Sequence, residues 1–279
     1  MKKLMMVVAA LSLSACQPDT RNIEKKLDEL NKKIDNLQAR GGVGAANPQQ
    51  RPQRPEPDRA KTYAVPVDGD PFDGPADAKV TVVKAYDYAC PFCDRVRETM
   101  DDLRKKYPSD LRVVYKQFVV HPTVATAGAL AFCAAAKQGK AMEMDKLLWD
   151  KSFKSHNFDK DQGQGHACWD NPEGCSVVLG YAQELGLNAD KFKSDMKDCV
   201  ALAKKDQTEL QQLGVGATPS FFINGRFISG AVPIENFTQV IEEELKKANE
   251  KISAGTPAAQ YYQQWVVDKG QKTLDAPKQ

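Results

Sequence analysis

The residues best suited to chemistry form the motif Cys90-Pro91-Phe92-Cys93, which joins an apolar run at residues 80–86 to a helical run at residues 94–107. Such a change of pattern predicts a strand that leads directly into a helix. Pro91 suits the first helical position, where its missing N–H costs nothing and its fixed φ fits the helix. The motif therefore predicts that Cys90 is the N-cap of that helix.

A cysteine at a helix N-cap is well placed for thiol–disulfide exchange. Its sulfur faces the free N–H groups of the first turn and the positive end of the helix dipole, so we expect a lowered pKa and a stable thiolate at Cys90. Cys93, one turn further in, is then placed to resolve a mixed disulfide. The alternatives are a plain structural disulfide and half of a zinc site, but the sequence has no second Cys pair of this spacing to complete a Cys₄ cluster.

Residues 80–241 resemble the DsbA-type branch of the thioredoxin superfamily. The resemblance implies an α/β thioredoxin fold, βαβ followed by ββα, with a helical insertion between the halves. It also implies thiol–disulfide oxidoreductase activity, with Cys90 as the nucleophile and Cys93 as the resolving thiol. The stretches that carry it, in the expected order, are residues 82–89 before the motif, residues 115–118 with His121-Pro122, and residues 216–225.

The same resemblance implies that Thr218-Pro219 is a cis-proline turn facing the two cysteines, an ordinary trans turn being the alternative. Proline has no N–H to compete for a thiolate, and the backbone of Thr218 can pair with an extended substrate. The apolar run at 221–223 and the hairpin signal Asn224-Gly225 favour the cis turn. Substrate contacts are expected at Thr218, Pro219, Pro91 and Phe92.

One position departs from the family pattern. Six residues before Cys90, where the family usually has a buried acid, the chain has Lys84. A charged lysine there would favour the Cys90 thiolate, a buried lysine would have a lowered pKa, and an outward-pointing lysine would do neither. The sequence leaves these alternatives open, so the proton-relay role of the family's acid is not assigned to Lys84.

Length and charge set the broad class of the protein. The 279 residues are enough for one domain of about 170 to 190 residues with appendages. The net charge of +2 gives no reason to expect a nucleic-acid partner. No cofactor is predicted beyond the redox-active Cys90–Cys93 pair itself.

The N-terminus predicts export and lipidation. Lys2 and Lys3 precede an apolar run, and Leu13-Ser14-Ala15-Cys16 resembles a bacterial lipobox. Residues 1–15 are therefore predicted to be a signal peptide and Cys16 the lipidated first residue, with an ordinary cleaved signal peptide as the alternative. Because Gln17 is not acidic, we expect a bacterial envelope protein on the periplasmic side, at the outer membrane.

Four cysteines remain once Cys16 and the motif are set aside: Cys133, Cys168, Cys175 and Cys199. In an oxidising compartment they are expected to form two structural disulfides. Three connectivities are possible, and we favour Cys168 with Cys175 and Cys133 with Cys199. His156 and His166 lie near Cys168 in the sequence, but loop histidines are usually solvated, so no metal site is predicted.

The sequence divides into a domain at residues 61–252 and three flanking segments. Residues 16–40 hold the lipid anchor and an amphipathic helix, residues 41–60 are a Pro/Gly-rich linker, and residues 253–279 form a C-terminal helix and tail. The heptad spacing in the first segment favours a homodimer through residues 21–40, with a monomeric spacer as the alternative. Its apolar residues are Ile23, Leu27, Leu30, Ile34 and Leu37.

Within the domain, a helical insertion is predicted at about residues 122–213. Near the C-terminus, the apolar stripe of Tyr261, Tyr262, Trp265 and Val266 favours docking onto the domain, with partner binding as the alternative. Strands are predicted at 79–86, 111–119, 220–224 and 226–229, and helices at 91–107, 123–138, 141–153, 176–185, 189–213 and 234–249.

Together these features predict an envelope thiol–disulfide oxidoreductase that acts on cysteines of exported proteins, with an unidentified redox partner. Pro91-Phe92 resembles the dipeptide of oxidising or isomerising members more than that of reducing ones, so an oxidase is favoured over a dimeric isomerase or a reductase. A non-catalytic surface lipoprotein that keeps Cys90–Cys93 as a locked disulfide is a different class. Reducibility of the pair separates the two classes.

Overall fold

The computed structural model describes residues 56–157 and 175–274, together with Lys25, Lys26, Glu29 and Lys32. The chain divides into two units, Met1–Gln53 and Arg54–Gln279. The four described residues of the first unit are helical and exposed, and they fall inside the helix predicted at residues 21–40. Cys16 and all five heptad residues lie outside the described residues.

The second unit is built on a five-stranded mixed sheet with the strand order β1-β3-β2-β4-β5. Strands β2 and β3 are parallel, and the other neighbouring pairs are antiparallel. This confirms the predicted βαβ and ββα order. The edge strand β1 was not predicted, because two residues are too short to show a period. The strands are β1 (Phe72–Asp73), β2 (Val80–Tyr86), β3 (Leu111–Gln117), β4 (Ser220–Ile223) and β5 (Arg226–Ser229).

Every residue of β2 is buried, because helices cover both faces of the sheet. Val82 and Tyr86 face one apolar cluster with the helices that follow β2 and with the insertion. Val83 and Ala85 face a second cluster with the C-terminal segment. The sheet is therefore the middle layer of the domain, and alternate residues of β2 belong to different cores.

The helix predicted at 91–107 is two helices, α1 (Pro91–Arg95) and α2 (Arg97–Lys106). Val96 between them has φ −81° and ψ −4°, which lies outside the helical range of ψ and interrupts the helix. After β5 the chain forms α7 (Ile234–Ser253), close to the predicted position. Helices α2 and α7 pack against the same side of the sheet as Val82, since Met100, Phe237 and Ile241 belong to its cluster.

The insertion lies between β3 and β4 and is helical, as predicted. Its second helix does not continue to residue 153, because residues Leu148–Phe153 form a π-helical turn instead. Cys133 and Cys199 form a disulfide that ties α3 to α6, with a Cα–Cα distance of 6.0 Å. Cys175 is also disulfide-bonded, while Cys168 lies outside the described residues. The insertion helices are α3 (Pro122–Ala136), α4 (Ala141–Leu147), α5 (Ser176–Glu184) and α6 (Ala189–Gln212).

The C-terminal segment docks onto the domain. It forms α8 (Ala258–Tyr261) and a π-helical turn, Tyr262–Val267. Tyr262 and Val266 are buried in the second apolar cluster, and the Tyr262 hydroxyl donates a hydrogen bond to the Val65 carbonyl at 2.9 Å. Of the two interpretations of the apolar stripe, the structure therefore shows docking. In the part of the chain that the structure describes, no helix has the length and apolarity needed to cross a membrane.

Candidate active site

Cys90 lies at the carboxyl end of β2, where the strand gives way to α1. It is the N-cap of that helix, with extended φ and ψ of −86° and 117°, and Pro91 opens the first turn. This confirms the local geometry predicted from the motif. The thiol group consequently lies beside the N–H groups of Phe92 and Cys93 in the first turn, where the Cys93 N–H also donates to the Cys90 carbonyl at 3.0 Å.

The proline loop lies next to Cys90 because of the strand pairing. Strand β4 runs antiparallel to β2, with Ser220 opposite Ala85, so the residues just before β4 meet the end of β2. The Thr218–Pro219 peptide bond is cis, as the resemblance implies. The Cys90 thiol donates to the Thr218 carbonyl across an Sγ–O distance of 3.3 Å. Thr218 therefore lies in direct contact with the Cys90 sulfur.

The two cysteines differ in access. Both are free thiols in this structure. Cys90 is 4% exposed, and Cys93 is 0% exposed beneath α1. Of the two cysteines, only Cys90 therefore has exposed surface that a substrate can contact.

Hydrogen bonds lower the pKa of Cys90 to about 5. The largest cause is the Cys93 thiol, which donates to the Cys90 thiolate; burial opposes it, and Thr218 and the backbone N–H groups of Phe92 and Cys93 add to it. Among the described residues the buried Thr218 hydroxyl has no other partner, so it is free to donate once Cys90 ionises. Cys90 is therefore a thiolate at neutral pH.

Cys93 has the opposite tendency. Burial is the largest cause that raises the pKa of its thiol far above the usual range, and its hydrogen bond to Cys90 acts in the same direction. The site thus separates two chemically identical side chains into one thiolate and one protonated thiol. That division suits a nucleophile and a resolving group.

The first prediction concerns the titration of Cys90 in a Cys93→Ser variant, whose hydroxyl keeps a donor in place of the thiol. Thiolate absorbance should rise with a midpoint well below the free cysteine value of about 8.5, in the region of 5 to 6. Because the pKa is depressed, the thiolate is present above the midpoint and is lost as the pH falls through it. A midpoint of about 8 or above would contradict N-cap activation.

Asp87 holds the two loops of the site together, a role that the sequence analysis missed. Its buried carboxylate accepts hydrogen bonds from the backbone N–H groups of Ala89 and Val120, both at 2.7 Å, and of His121 at 2.9 Å. The loop after β2 is thereby fixed to the loop after β3. A signal was present, since an Asp two residues before a turn N–H is typical of an Asx-turn.

Two exposed apolar side chains lie on the elements that flank the site. Phe92 is 50% exposed in α1, and Val120 is 38% exposed on the loop after β3 that Asp87 holds. Phe92, expected to contact substrate, carries the Arg95 guanidinium 4.9 Å from its ring centroid. Val120 was not predicted. Exposed apolar groups beside a reactive thiolate suit an unfolded polypeptide as substrate.

Lys84 points into the apolar cluster below the motif and is 2% exposed. Of the alternatives left open by the sequence, the structure thus shows the buried one, and burial is the largest cause that lowers the pKa of its ammonium group. His156 falls within the described residues, whereas His166 and Cys168 do not. Within residues 56–157 and 175–274, no group of His, Cys, Asp or Glu side chains is arranged to hold a metal ion.

Comparison with known proteins gives one family match and several relatives that match this chain over only part of their own length. The family described as Thioredoxin matches residues 67–243, which is more than half of the chain. The Na(+)/H(+) antiporter NhaA of Herminiimonas arsenicoxydans is 31% identical over 182 residues, which cover 63% of this chain and 26% of that protein. The chain thus spans about a quarter of the length of the curated relatives that it matches. The name antiporter describes those whole proteins, of which only the part similar to this chain is compared.

Two solved structures, α-DsbA1 and BdbD, have the same fold. Wolbachia pipientis α-DsbA1 aligns with a TM-score of 0.54 at 20% identity, covering 67% of this chain and 96% of that one. Oxidised BdbD from Bacillus subtilis aligns with a TM-score of 0.52 at 22% identity, covering 69% of this chain and all of that one. At these identities the likeness shows the fold.

Proposed function

The chain belongs to the thioredoxin family, and on that premise we propose that it is a thiol–disulfide oxidoreductase of the bacterial envelope that oxidises cysteines of exported proteins. One observation carries the proposal. Cys90 combines a pKa of about 5 with a small exposed fraction of 4%, while its partner Cys93 is 0% exposed and burial raises the pKa of its thiol. A locked structural disulfide has no need of that asymmetry.

The oxidising reaction has two exchange steps. A substrate thiolate attacks Sγ of Cys90 in the Cys90–Cys93 disulfide, a mixed disulfide forms, and Cys93 departs as a thiolate. A second substrate thiolate then attacks the substrate sulfur of the mixed disulfide, and Cys90 departs as a thiolate. The substrate loses two electrons and two protons, and the enzyme gains the two electrons; Cys93 takes up one proton to become a thiol, Cys90 remains a thiolate, and the other proton goes to solvent.

The low pKa of Cys90 favours this direction. A thiol with a lower pKa is the better leaving group, so release of the oxidised substrate is fast. Stabilising the Cys90 thiolate also stabilises the reduced enzyme relative to the disulfide, which makes the disulfide a stronger oxidant. Thr218 fits substrate binding, because it precedes the buried strand β4 and lies against Cys90. An extended substrate backbone can pair with it as an added strand.

Oxidation of reduced ribonuclease A tests the proposal. The oxidised chain should remove free thiols from ribonuclease and restore nuclease activity faster than air does, and Cys90→Ser should remove this effect. The Lys106→Met variant, altered at an exposed residue of α2, is the control and should act like the parent. Thiol loss at the air rate would refute the function. Faster repair of scrambled than of reduced ribonuclease would favour the isomerase alternative.

The proposed site of action rests on the N-terminal sequence. We propose that lipid on Cys16 holds the chain at the membrane and that residues 41–60 let the domain reach its substrates. A Cys16→Ser variant should then leave the membrane fraction. Retention of that variant at the parent level would contradict lipid anchoring through Cys16.

A further inference from the structure

A lysine lies in the apolar core beneath the active site. Along β2, Val82, Lys84 and Tyr86 point to the same face, and both neighbours belong to the cluster that contains Cys93. The Lys84 Nζ atom lies 5.0 Å from the ring centroid of Tyr86 and 5.6 Å from that of Tyr115. Aromatic faces attract an ammonium group, so they partly replace the water that burial removes.

Helix α4 of the insertion adds a carboxylate to this region. Asp145 on α4 is partly buried, and burial raises the pKa of its carboxyl group, while Lys84 and the Tyr88 hydroxyl act in the opposite direction and favour the carboxylate. Its Oδ1 atom accepts hydrogen bonds from the Tyr88 hydroxyl at 2.8 Å and from Trp149 Nε1 at 3.1 Å. The Tyr88 hydroxyl accepts in turn from the Tyr86 hydroxyl at 3.2 Å. Tyr86, one of the two rings beside Lys84, therefore belongs to a hydrogen-bonded chain that ends on Asp145.

Two groups act on the charge of Lys84 most strongly after burial. The carboxylate of Asp145 favours the ammonium form, and so does a thiolate at Cys93. The influence is mutual, since a charged Lys84 favours ionisation of Cys93. Two charged groups on α2 act on the pKa of Lys84 in opposite directions, since Arg97 lowers it and Asp101 raises it. No carboxylate of the described residues is within ion-pair distance of Lys84 Nζ.

We infer that Lys84 is a positioning residue whose ammonium group stabilises the thiolate of Cys93 as it leaves, and that Asp145 keeps Lys84 in this charged form. The inference rests on the proposed function. The step concerned is attack of a thiolate on Sγ of Cys90: the new S–S bond forms at Cys90, the Cys90–Cys93 bond breaks, and its electron pair goes to Sγ of Cys93. In a dry site that charge has no water to stabilise it.

The inference gives the insertion a part in the redox reaction. Asp145 would act on Cys93 only through Lys84, because a carboxylate by itself disfavours a nearby thiolate. Removal of the Asp145 charge should therefore slow the departure of Cys93 when Lys84 is present and have no such effect when Lys84 is absent. A direct electrostatic effect or a packing defect would not show that dependence.

The test is the rate at which glutathione reduces the Cys90–Cys93 disulfide at pH 7. The thiols formed are measured over time by labelling with a maleimide. Lys84→Met should lower the rate constant about tenfold, because without the Lys84 charge the pKa of Cys93 rises and its thiolate becomes a poorer leaving group. Asp145→Asn, which keeps Oδ1 as an acceptor, should lower the rate several-fold. Adding it to Lys84→Met should lower the rate no further.

Two controls separate this role from a structural one. The midpoint of the Cys90 titration, measured in the Cys93→Ser background, should not move in Lys84→Met. Lys106→Met should react at the parent rate, because Lys106 also packs its Nζ 5.2 Å from an aromatic ring but lies on the exposed end of α2. Lys84→Gln serves in place of Lys84→Met if the latter does not give a cooperative thermal transition.

The outcomes are distinct. A parent disulfide that glutathione does not reduce would refute the proposed function. A parent that reacts, together with a Lys84→Met variant that reacts equally fast, would overturn this inference alone. A slower Lys84→Met variant with a shifted Cys90 titration, or an Asp145→Asn effect of equal size in both backgrounds, would also overturn it.

Discussion

A Cys93→Ala variant should accumulate covalent mixed disulfides with exported proteins in envelope extracts. In the parent, a mixed disulfide that is not resolved by a second substrate thiolate is reversed when Cys93 attacks Sγ of Cys90 and the substrate departs as a thiolate, and the variant lacks that escape route. Adducts should be visible on a non-reducing gel, identifiable by mass spectrometry and removed by dithiothreitol. In the parent they should be scarce.

The matched control is Cys90→Ala. It retains only Cys93, which is 0% exposed and whose pKa is raised by burial, so its adduct yield should be at least about tenfold lower. Equal yields from the two variants would show that access and pKa do not set the order of the steps. Their complete absence from both would favour a binding domain over catalysis.

Removing the Cys133–Cys199 disulfide should be the largest single loss of stability. The bond closes a loop with a sequence separation of 66 residues, and the chain-entropy relation gives about 4 kcal/mol for a loop of that length. The Cys133→Ala, Cys199→Ala double variant should therefore show a lower free energy of unfolding in urea by about that amount. Its helices α3 and α6 would then be held by packing alone.

Removing the disulfide should lower the free energy of unfolding without changing the pKa of Cys90. The disulfide ties two insertion helices, whereas Cys90 is activated by groups on α1 and the proline loop. At a temperature well below unfolding, the Cys90 titration midpoint of the double variant should match the parent. A loss of less than about 1 kcal/mol would show that packing, rather than the cross-link, holds these helices.

The chemistry of the site was predictable from local sequence. Pro91 fixes where α1 begins, so the N-cap position of Cys90 follows from four consecutive residues. The hairpin at Asn224-Gly225 was predictable for a similar reason: Asn224 has φ 43° and Gly225 has φ 84°, as a type I′ turn requires. Where one or two residues set the backbone, sequence and structure agree.

The features that could not be predicted from the sequence depend on contacts between residues far apart in the chain. The face of Lys84 could not be assigned, because β2 is buried on both sides and shows no polar alternation. Asp145 contacts Tyr88 across 57 residues, and nothing near either residue indicates that pairing. The break at Val96 and the π-helical turn after α4 likewise have no sequence signal that we can identify. These features follow from packing of the insertion on the sheet.

The most direct test of oxidoreductase function is the reduction potential of the Cys90–Cys93 pair, measured by equilibration with glutathione. A Cys90 pKa of about 5 stabilises the reduced form, so the potential should lie above about −200 mV, among oxidising and isomerising pairs. A potential below about −300 mV is typical of structural disulfides. That result would contradict the proposed oxidase and identify Cys90–Cys93 as a locked bond.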